Sequence, residues 1–265
     1  MRNRPKVRPG IVIIGAAICL TICSIDVAAQ NSGRFGRWLS EDAGAFVGHV
    51  GPRLPLFAVG GAVLLLPTSN FDQTGLDRIQ AGYHGTWGMY LNVTNELGGP
   101  LVVIPMVGIF AASLVAGNER FQDAAFTSLQ SWLFAGSLST LFKFVFGRYR
   151  PKTGSSPERA DMFSGQSSFP SGHTTAAFAV ITPWVLYYPH VATYGLLVLS
   201  ASTGIARIAL DQHWPTDIIA GATLGLFTAR WLVKRHQGTG SNPRSTITPI
   251  VGPEAAGVQF SYRFR

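Results

Sequence analysis

At 265 residues the chain is long enough for one sizeable domain and short for two. Charged residues make up 13% of it against 47% hydrophobic, and the mean hydropathy is +0.24, a balance that leans toward a membrane setting. The net charge of +8 would suit a nucleic-acid binder, but the basic residues form no stripe with interleaved aromatics, so that partner class is set aside.

In chain order, Arg2, Arg4, Lys6 and Arg8 precede the apolar run Ile11 to Ile25, and small residues follow at Val27-Ala28-Ala29 before Gln30. This is the anatomy of a secretory signal peptide over 1–29, with an uncleaved anchor as the alternative. A lipoprotein site at Leu20-Thr21-Ile22-Cys23 is disfavoured, because Ile22 is bulky where a small residue is wanted. Both cysteines, Cys19 and Cys23, lie in this segment, so cleavage after Ala29 removes every thiol, and with them any disulfide or cysteine-based zinc site.

Residues 30–96 carry Gly and polar residues with weak periodicity and form a region of unassigned role. Its apolar run Leu54 to Leu66 is short and Gly-rich, which suits a re-entrant or surface-lying helix. His49 and His84 read as structural or exposed histidines. The pattern then changes. Leu97 to Ala116, Leu129 to Phe146, Thr174 to Tyr188, Val191 to Ile205 and Ile218 to Val233 each read as helices of spanning or near-spanning length. The expectation is an all-α helical bundle of five or six core helices, transmembrane, with a catalytic region over 97–236. A soluble exported bundle is the alternative. In the remaining 237–265, a Gly-Thr-Gly-Ser-Asn-Pro linker leads to Thr246 to Val251 and Gly257 to Phe264 on either side of a turn. Val258, Phe260, Tyr262 and Phe264 alternate with other residues at strand period, giving a short hairpin-like tail of open role.

The few ions inside the apolar segments carry most of the information, since a charge there is expensive unless it serves a polar site. Lys143 sits within Leu129 to Phe146, and Arg150-Pro151 follows. Pro170-Ser171-Gly172-His173 precedes the next helix, and Arg207, His213 and Asp217 bracket the start of the last. Phosphoryl transfer asks for cations around the equatorial oxygens, an in-line nucleophile and an acid for the leaving oxygen. Lys143, Arg150 and Arg207 are the cations, Arg giving a planar bidentate grip and Lys a point charge. His213 is read as the nucleophile, Asp217 as the group that fixes its tautomer, and His173 as the general acid. Ser171 and Gly172 open a helix whose free N–H groups add to the phosphate site. If the helix carrying Lys143 runs on to Tyr149, position 150 falls near the face of 143. Singly, each motif has a bland reading: Ser171 as an N-cap, Arg150-Pro151 as a helix end, His213 as a loop histidine. Asp211 and Glu158 neighbour the site and read as solvated loop charges.

The three motifs together resemble the signature of the type 2 phosphatidic acid phosphatase and vanadium haloperoxidase superfamily, in its membrane lipid phosphatase branch. The first is Lys143-Phe-Val-Phe-Gly-Arg-Tyr-Arg150-Pro151, the second Pro170-Ser171-Gly172-His173, the third Ala206-Arg207-Ile-Ala-Leu-Asp-Gln-His213-Trp-Pro-Thr-Asp217. The one departure is Ala206 where the pattern has Ser, from which weaker phosphate binding is expected. The resemblance implies a phosphatase acting on a phosphomonoester or diphosphate through a phospho-histidine, without metal or cofactor. A lipid-borne phosphate is the expected substrate and the membrane the expected partner. A soluble periplasmic non-specific acid phosphatase, a vanadate-dependent haloperoxidase and a non-enzymatic scaffold or transporter are the alternatives. Helices that alternate direction bring all three motifs to one side. With the chain outside after the signal and Leu54 to Leu66 not spanning, that side faces the periplasm, and Arg230, Lys234 and Arg235 fall at the inner face of the inner membrane.

Overall fold

The computed structural model describes residues 32–65, 69–99, 102–116, 118–240, 245–251 and 256–262; the signal-like segment 1–29 lies outside them. The chain divides into two compact units, Met1–Gly44 and Ala45–Arg265. The described part of the first is the opening of helix α1 (Ser32–Val50), where Arg34 lies over the Phe35 ring at 4.7 Å and Phe35 meets Trp38 edge-on at 5.7 Å. The second unit continues from the end of α1 through α2 (Leu54–Leu65), α3 (Ser69–Ala81), α4 (Gly85–Glu96), α5 (Val103–Ala116), α6 (Glu119–Phe146), α7 (Gly172–Tyr187), α8 (Val191–Ala209) and α9 (Pro215–Gly240). Strands β1 (Ser245–Val251) and β2 (Ala256–Tyr262) follow as an antiparallel pair, with Ser245 opposite Tyr262 and Val251 opposite Ala256. The body that holds the motifs is all-helical.

Five helices of spanning or near-spanning length are expected from the sequence; among the described residues one, α8, is both long and apolar enough to cross a membrane by length and composition. The reasons lie in the other four. The apolar part of α5, Val103–Leu114, is shorter, and α7 has 16 residues, roughly 24 Å of helix. Helices α6 and α9 are long, at 28 and 26 residues, but they bury polar side chains as well as apolar ones. Gln122, Ser128, Gln130 and Ser131 of α6 and Thr228 and His236 of α9 are all buried. Three of these groups bond within the bundle: Gln122 donates to the Ser113 carbonyl at 3.1 Å, His236 Nδ1 lies 2.7 Å from Thr127 Oγ1, and Ser128 donates to the Val180 carbonyl at 2.8 Å. Helix α2, at 12 residues, is roughly 18 Å long and too short to span a core of about 30 Å by itself.

Helices α7 and α9 approach closely because Gly221 and Gly225, one turn apart, leave that face of α9 without side chains. A Cβ on Gly221 would lie 2.6 Å from the Ser171 carbonyl, and one on Gly225 2.6 Å from the Thr175 carbonyl, the small-residue crossing that lets backbones touch. On α6, Phe134, Leu138, Phe142 and Phe146 recur every fourth residue and build an apolar core with Phe46, Val50, Phe169, Leu224 and Leu232. Burial of each such side chain contributes about 1.5–3 kcal/mol. His49 stacks over Phe227 and Trp231 at centroid distances of 5.8 and 5.4 Å, which makes it a packing residue.

Within the stretch unassigned from sequence, residues 69–96 pack on the motif-bearing helices. Tyr90 of α4 meets Ser202 of α8 at 2.8 Å, and Thr203 donates to the Thr94 carbonyl at 2.8 Å. Leu76 of α3 packs with Ile208 and Trp214. His84 is the N-cap residue of α4 in position, without a side-chain capping bond.

Candidate active site

The site forms where α6 and α8 end and α7 and α9 begin. Helix α6 stops at Phe146 because Gly147 turns the chain at φ 55°, its N–H donating to the Lys143 carbonyl at 3.0 Å. A Cβ there would fall 1.7 Å from the Asp161 carbonyl oxygen, so both the dihedral and the space demand glycine. The helix ends at Phe146 and does not run on to Tyr149, so Arg150 does not reach the site along a helix face. A short extended segment delivers it, with Arg148 bridging to Ala160, Tyr149 N–H donating to the Arg159 carbonyl at 3.0 Å and Ser168 N–H to the Arg148 carbonyl at 3.1 Å. Arg150 takes the extended dihedrals that a following proline favours.

Lys143 Nζ donates to the carbonyls of Ser167 and Pro170 at 2.7 and 2.6 Å, and its Cε lies 3.6 Å from where a Cβ on Gly172 would sit. Arg150 donates to Gln212 Oε1 at 2.7 Å and to Ser167 Oγ at 3.1 Å. Arg207, in the last turn of α8, donates to Asn95 Oδ1 at 2.9 Å and Gln212 Oε1 at 3.4 Å. The first turn of α7 supplies Gly172 and His173, whose N–H groups are among those a helix start leaves without an intrahelical acceptor. His173 backs onto the loop after α4, since a Cβ on Gly98 would lie 2.4 Å from its carbonyl oxygen. The charges of Lys143 and Arg150 act on both His173 and His213, so the two imidazoles share one cationic neighbourhood.

His213 is 1% exposed. Its Nδ1 lies 3.4 Å from Asp217 Oδ2, leaving Nε2 as the ring nitrogen for chemistry. Asp217 is itself fixed from every side. Oδ2 accepts the Ser168 hydroxyl at 2.5 Å and the Trp214 N–H at 2.9 Å, and Oδ1 accepts Arg148 at 2.7 Å. The Trp214 bond is a helix acid reaching back to the start of its own first turn. Burial, partly opposed by the Asp217 hydrogen bond, pushes the His213 pKa down to about 3. Burial also lowers the Arg150 guanidinium from its ordinary value.

A pH dependence follows. With its folded pKa below that of a free histidine near 6.5, His213 binds a proton more readily in the unfolded chain. Its contribution to stability is therefore whole above pH 6.5 and is lost as pH falls toward 3. In activity, the free enzyme keeps the ring neutral through the same interval. The acid limb of kcat/KM, corrected for the substrate's own second ionisation, should then show no break at 6.5; a pH–rate profile from 4 to 8 checks it.

Ser171 is brought to the site but turned from it. It is fully buried, its N–H donates to the Asp217 carbonyl at 3.0 Å, and its Oγ accepts from Thr174 at 3.0 Å without capping the helix. Ala206, where the motif has Ser, is buried in an apolar cluster with Leu91 and Ala209. Asp211 accepts from Gln80 at 3.0 Å at a backbone φ of 59°, so it serves the loop more than the solvent.

Sequence reasoning missed the buried cation behind the site. Arg148, 1% exposed, donates to Asp217 at 2.7 Å, to Thr216 Oγ1 at 2.8 Å, to the Pro157 carbonyl at 2.8 Å and to Asp72 at 2.6 Å. Asp72 of α3 is fully buried and also accepts the Thr216 N–H and hydroxyl at 2.8 and 2.7 Å. Asn95 and Gln212 were missed as well. The available signal was an Arg two residues before the Arg-Pro pair in a chain with few charges. Among the described residues no group of three or more His, Cys, Asp or Glu side chains is disposed to hold a metal ion.

With this geometry in hand, residues 124–240 match the PAP2 superfamily. Relatives include a lipid A 1-phosphatase of Porphyromonas gingivalis, 36% identical over 34% of this chain and 19% of the relative. A lipid A 1-phosphatase of Rhizobium johnstonii is 33% identical over 35% of this chain and 40% of the relative. The chain thus spans less than half the length of these curated relatives. In fold it is similar to the crystal structure of a transmembrane PAP2 type phosphatidylglycerolphosphate phosphatase from Bacillus subtilis, with a TM-score of 0.53, 22% identity and coverage of 71% of this chain and 97% of that one. The matched segment contains every residue of the three motifs, while Asp72 and Asn95 reach them from outside it.

Proposed function

We propose that the protein is a phosphatase that removes a phosphoryl group from a lipid-borne phosphomonoester or diphosphate through a phospho-histidine, with no metal in the reaction. The observation that carries this reading is a buried His213, held at Nδ1 by Asp217 and acted on by the charges of Lys143 and Arg150. Lys143, Arg150, Arg207 and the N–H groups of Gly172 and His173 hold the phosphoryl oxygens as charge builds on them. His213 Nε2 attacks phosphorus while the bond to the leaving oxygen breaks, and His173 gives that oxygen a proton. His173 then takes a proton from water, whose oxygen attacks the phosphorus of phospho-His213 and frees inorganic phosphate and the neutral ring.

The lipid-borne substrate is supported by a neighbouring cavity of about 240 Å³ lined by Phe57, Phe142, Phe146, Phe169, Pro170 and Leu224 among others. Pro170, whose carbonyl accepts from Lys143, is a wall common to the cavity and the cationic site, so an apolar tail and a phosphate head meet at one residue. Membrane embedding is further supported by charge placement. Arg230, Lys234 and Arg235 lie 13 to 18 residues along α9 from Asp217, roughly 20–27 Å at 1.5 Å per residue, so site and basic cluster sit at opposite ends of a helix near bilayer thickness. The positive-inside tendency supports a site at the periplasmic face of the inner membrane.

The test is phosphate release from a panel of phosphorylated lipids by purified protein in detergent containing EDTA. Release from at least one lipid and slower turnover of a short water-soluble ester are expected. Release that stops with EDTA and returns with a divalent cation would overturn the metal-free scheme, and a preference for soluble esters the lipid assignment.

A further inference from the structure

The structure assigns Gln212 a role that no motif gives it: its side-chain oxygen occupies the position of a phosphoryl oxygen and is displaced when substrate binds. Oε1 accepts from Arg150 at 2.7 Å, Lys152 at 3.3 Å and Arg207 at 3.4 Å. Two of these are proposed phosphate ligands, and the third, Lys152, is an exposed cation absent from the sequence reading. The orientation of the amide is dictated by its neighbours, because all three groups donate and only an oxygen can meet them. Nε2 faces away, toward the Leu210 carbonyl at 3.3 Å.

One neutral oxygen shared among three cations is a weak acceptor for each. The arrangement is also incomplete, since Arg207, 8% exposed, keeps a buried Nε with no hydrogen-bond partner. A doubly charged phosphoryl group answers both defects, bringing charged oxygens to Arg150, Lys152 and Arg207 and an acceptor to the idle Nε. The amide oxygen and a phosphoryl oxygen cannot share the position, because both only accept. Gln212 therefore competes with substrate and product for the same donors. It holds the cations in place when the site is empty and weakens retention of inorganic phosphate after turnover. Lys152, on the exposed side of that oxygen, becomes a fourth cation on the phosphate.

This inference rests on the phosphate-site reading, and the experiment separates the two. Purified full-length protein is titrated with inorganic phosphate and with orthovanadate while thermal unfolding is followed, and the same titrations give inhibition constants in the lipid assay. For wild type, anion-dependent stabilisation is expected. Gln212→Ala should tighten both anions three- to tenfold. Gln212→Glu, which sets a carboxylate among the cations, should weaken them at least tenfold while raising the unfolding temperature of the anion-free protein. Lys152→Ala should weaken binding about threefold. Wild-type protein that gains no stability from either anion would overturn the phosphate site and this inference with it. Wild type that responds, with Gln212→Ala unchanged or weaker and Gln212→Glu unchanged, would overturn the role of Gln212 alone.

Discussion

Replacement of His213 by Ala should abolish turnover, lowering kcat by about four orders of magnitude or more, as loss of a covalent nucleophile does elsewhere. Wild type mixed with a radiolabelled phosphate ester and quenched in alkaline detergent should keep label on protein, base-stable and acid-labile as a phosphoramidate, and absent from the variant. The structure sharpens this expectation, because the ring is buried with Nδ1 on Asp217, leaving one nitrogen for attack. His213→Gln is the companion variant, since it preserves size and a hydrogen bond to Asp217 without a nucleophile. It should fold, bind vanadate and remain inactive. Label that persists in either variant would assign the covalent step to another side chain.

The motif residues were legible because charge is scarce in this chain. Lys143 inside an apolar helix and Arg207 in the last turn of another had to face something polar, and the alternation of helices put both at one end. The order of helices α6 to α9 was legible from the succession of their apolar runs. How Arg150 arrives was not. A helical continuation and a sharp stop at Gly147 both bring position 150 near 143, and the stop depends on a contact with Asp161 that is distant in sequence. The apolar character of α6 was over-read, because its buried Gln, Ser and Thr, of which Gln122 and Ser128 bond to neighbouring helices, lower the hydropathy of a helix that is long enough to cross. Most of all, Asp72 was invisible. It sits in a helix of mixed polarity, SNFDQTGLDRIQA, where nothing local separates it from Asp77 four residues on, and only tertiary packing buries the first and leaves Asp77 to bond exposed Gln73.

Asp72 and Arg148 should therefore prove necessary for full activity, though neither belongs to a motif. Arg148 carries a buried charge between two buried carboxylates, with contacts of 2.6 Å to Asp72 and 2.7 Å to Asp217. Arg148→Ala would leave those carboxylates facing each other without a cation, and breaking a buried pair in this way costs about 3–5 kcal/mol. A fall in unfolding temperature, or failure to accumulate folded protein, is expected. Asp72→Asn is the gentler and more telling change. It keeps an oxygen for the Thr216 N–H at the start of α9 but removes the charge that balances Arg148 and favours the helix N-terminus. Arg148 would then bear on Asp217 alone, and Asp217 would support a positive His213 less well. The expected result is a drop in kcat of about 10–100-fold, the range seen when a group behind a functional ligand is removed, with KM within twofold because no phosphate ligand has moved. Asp72→Glu should restore part of the lost rate. Equal effects of Asp72→Asn on kcat and KM, or kcat that simply tracks lost folded protein in a parallel unfolding measurement, would reduce Asp72 to a structural cap and detach α3 from the chemistry.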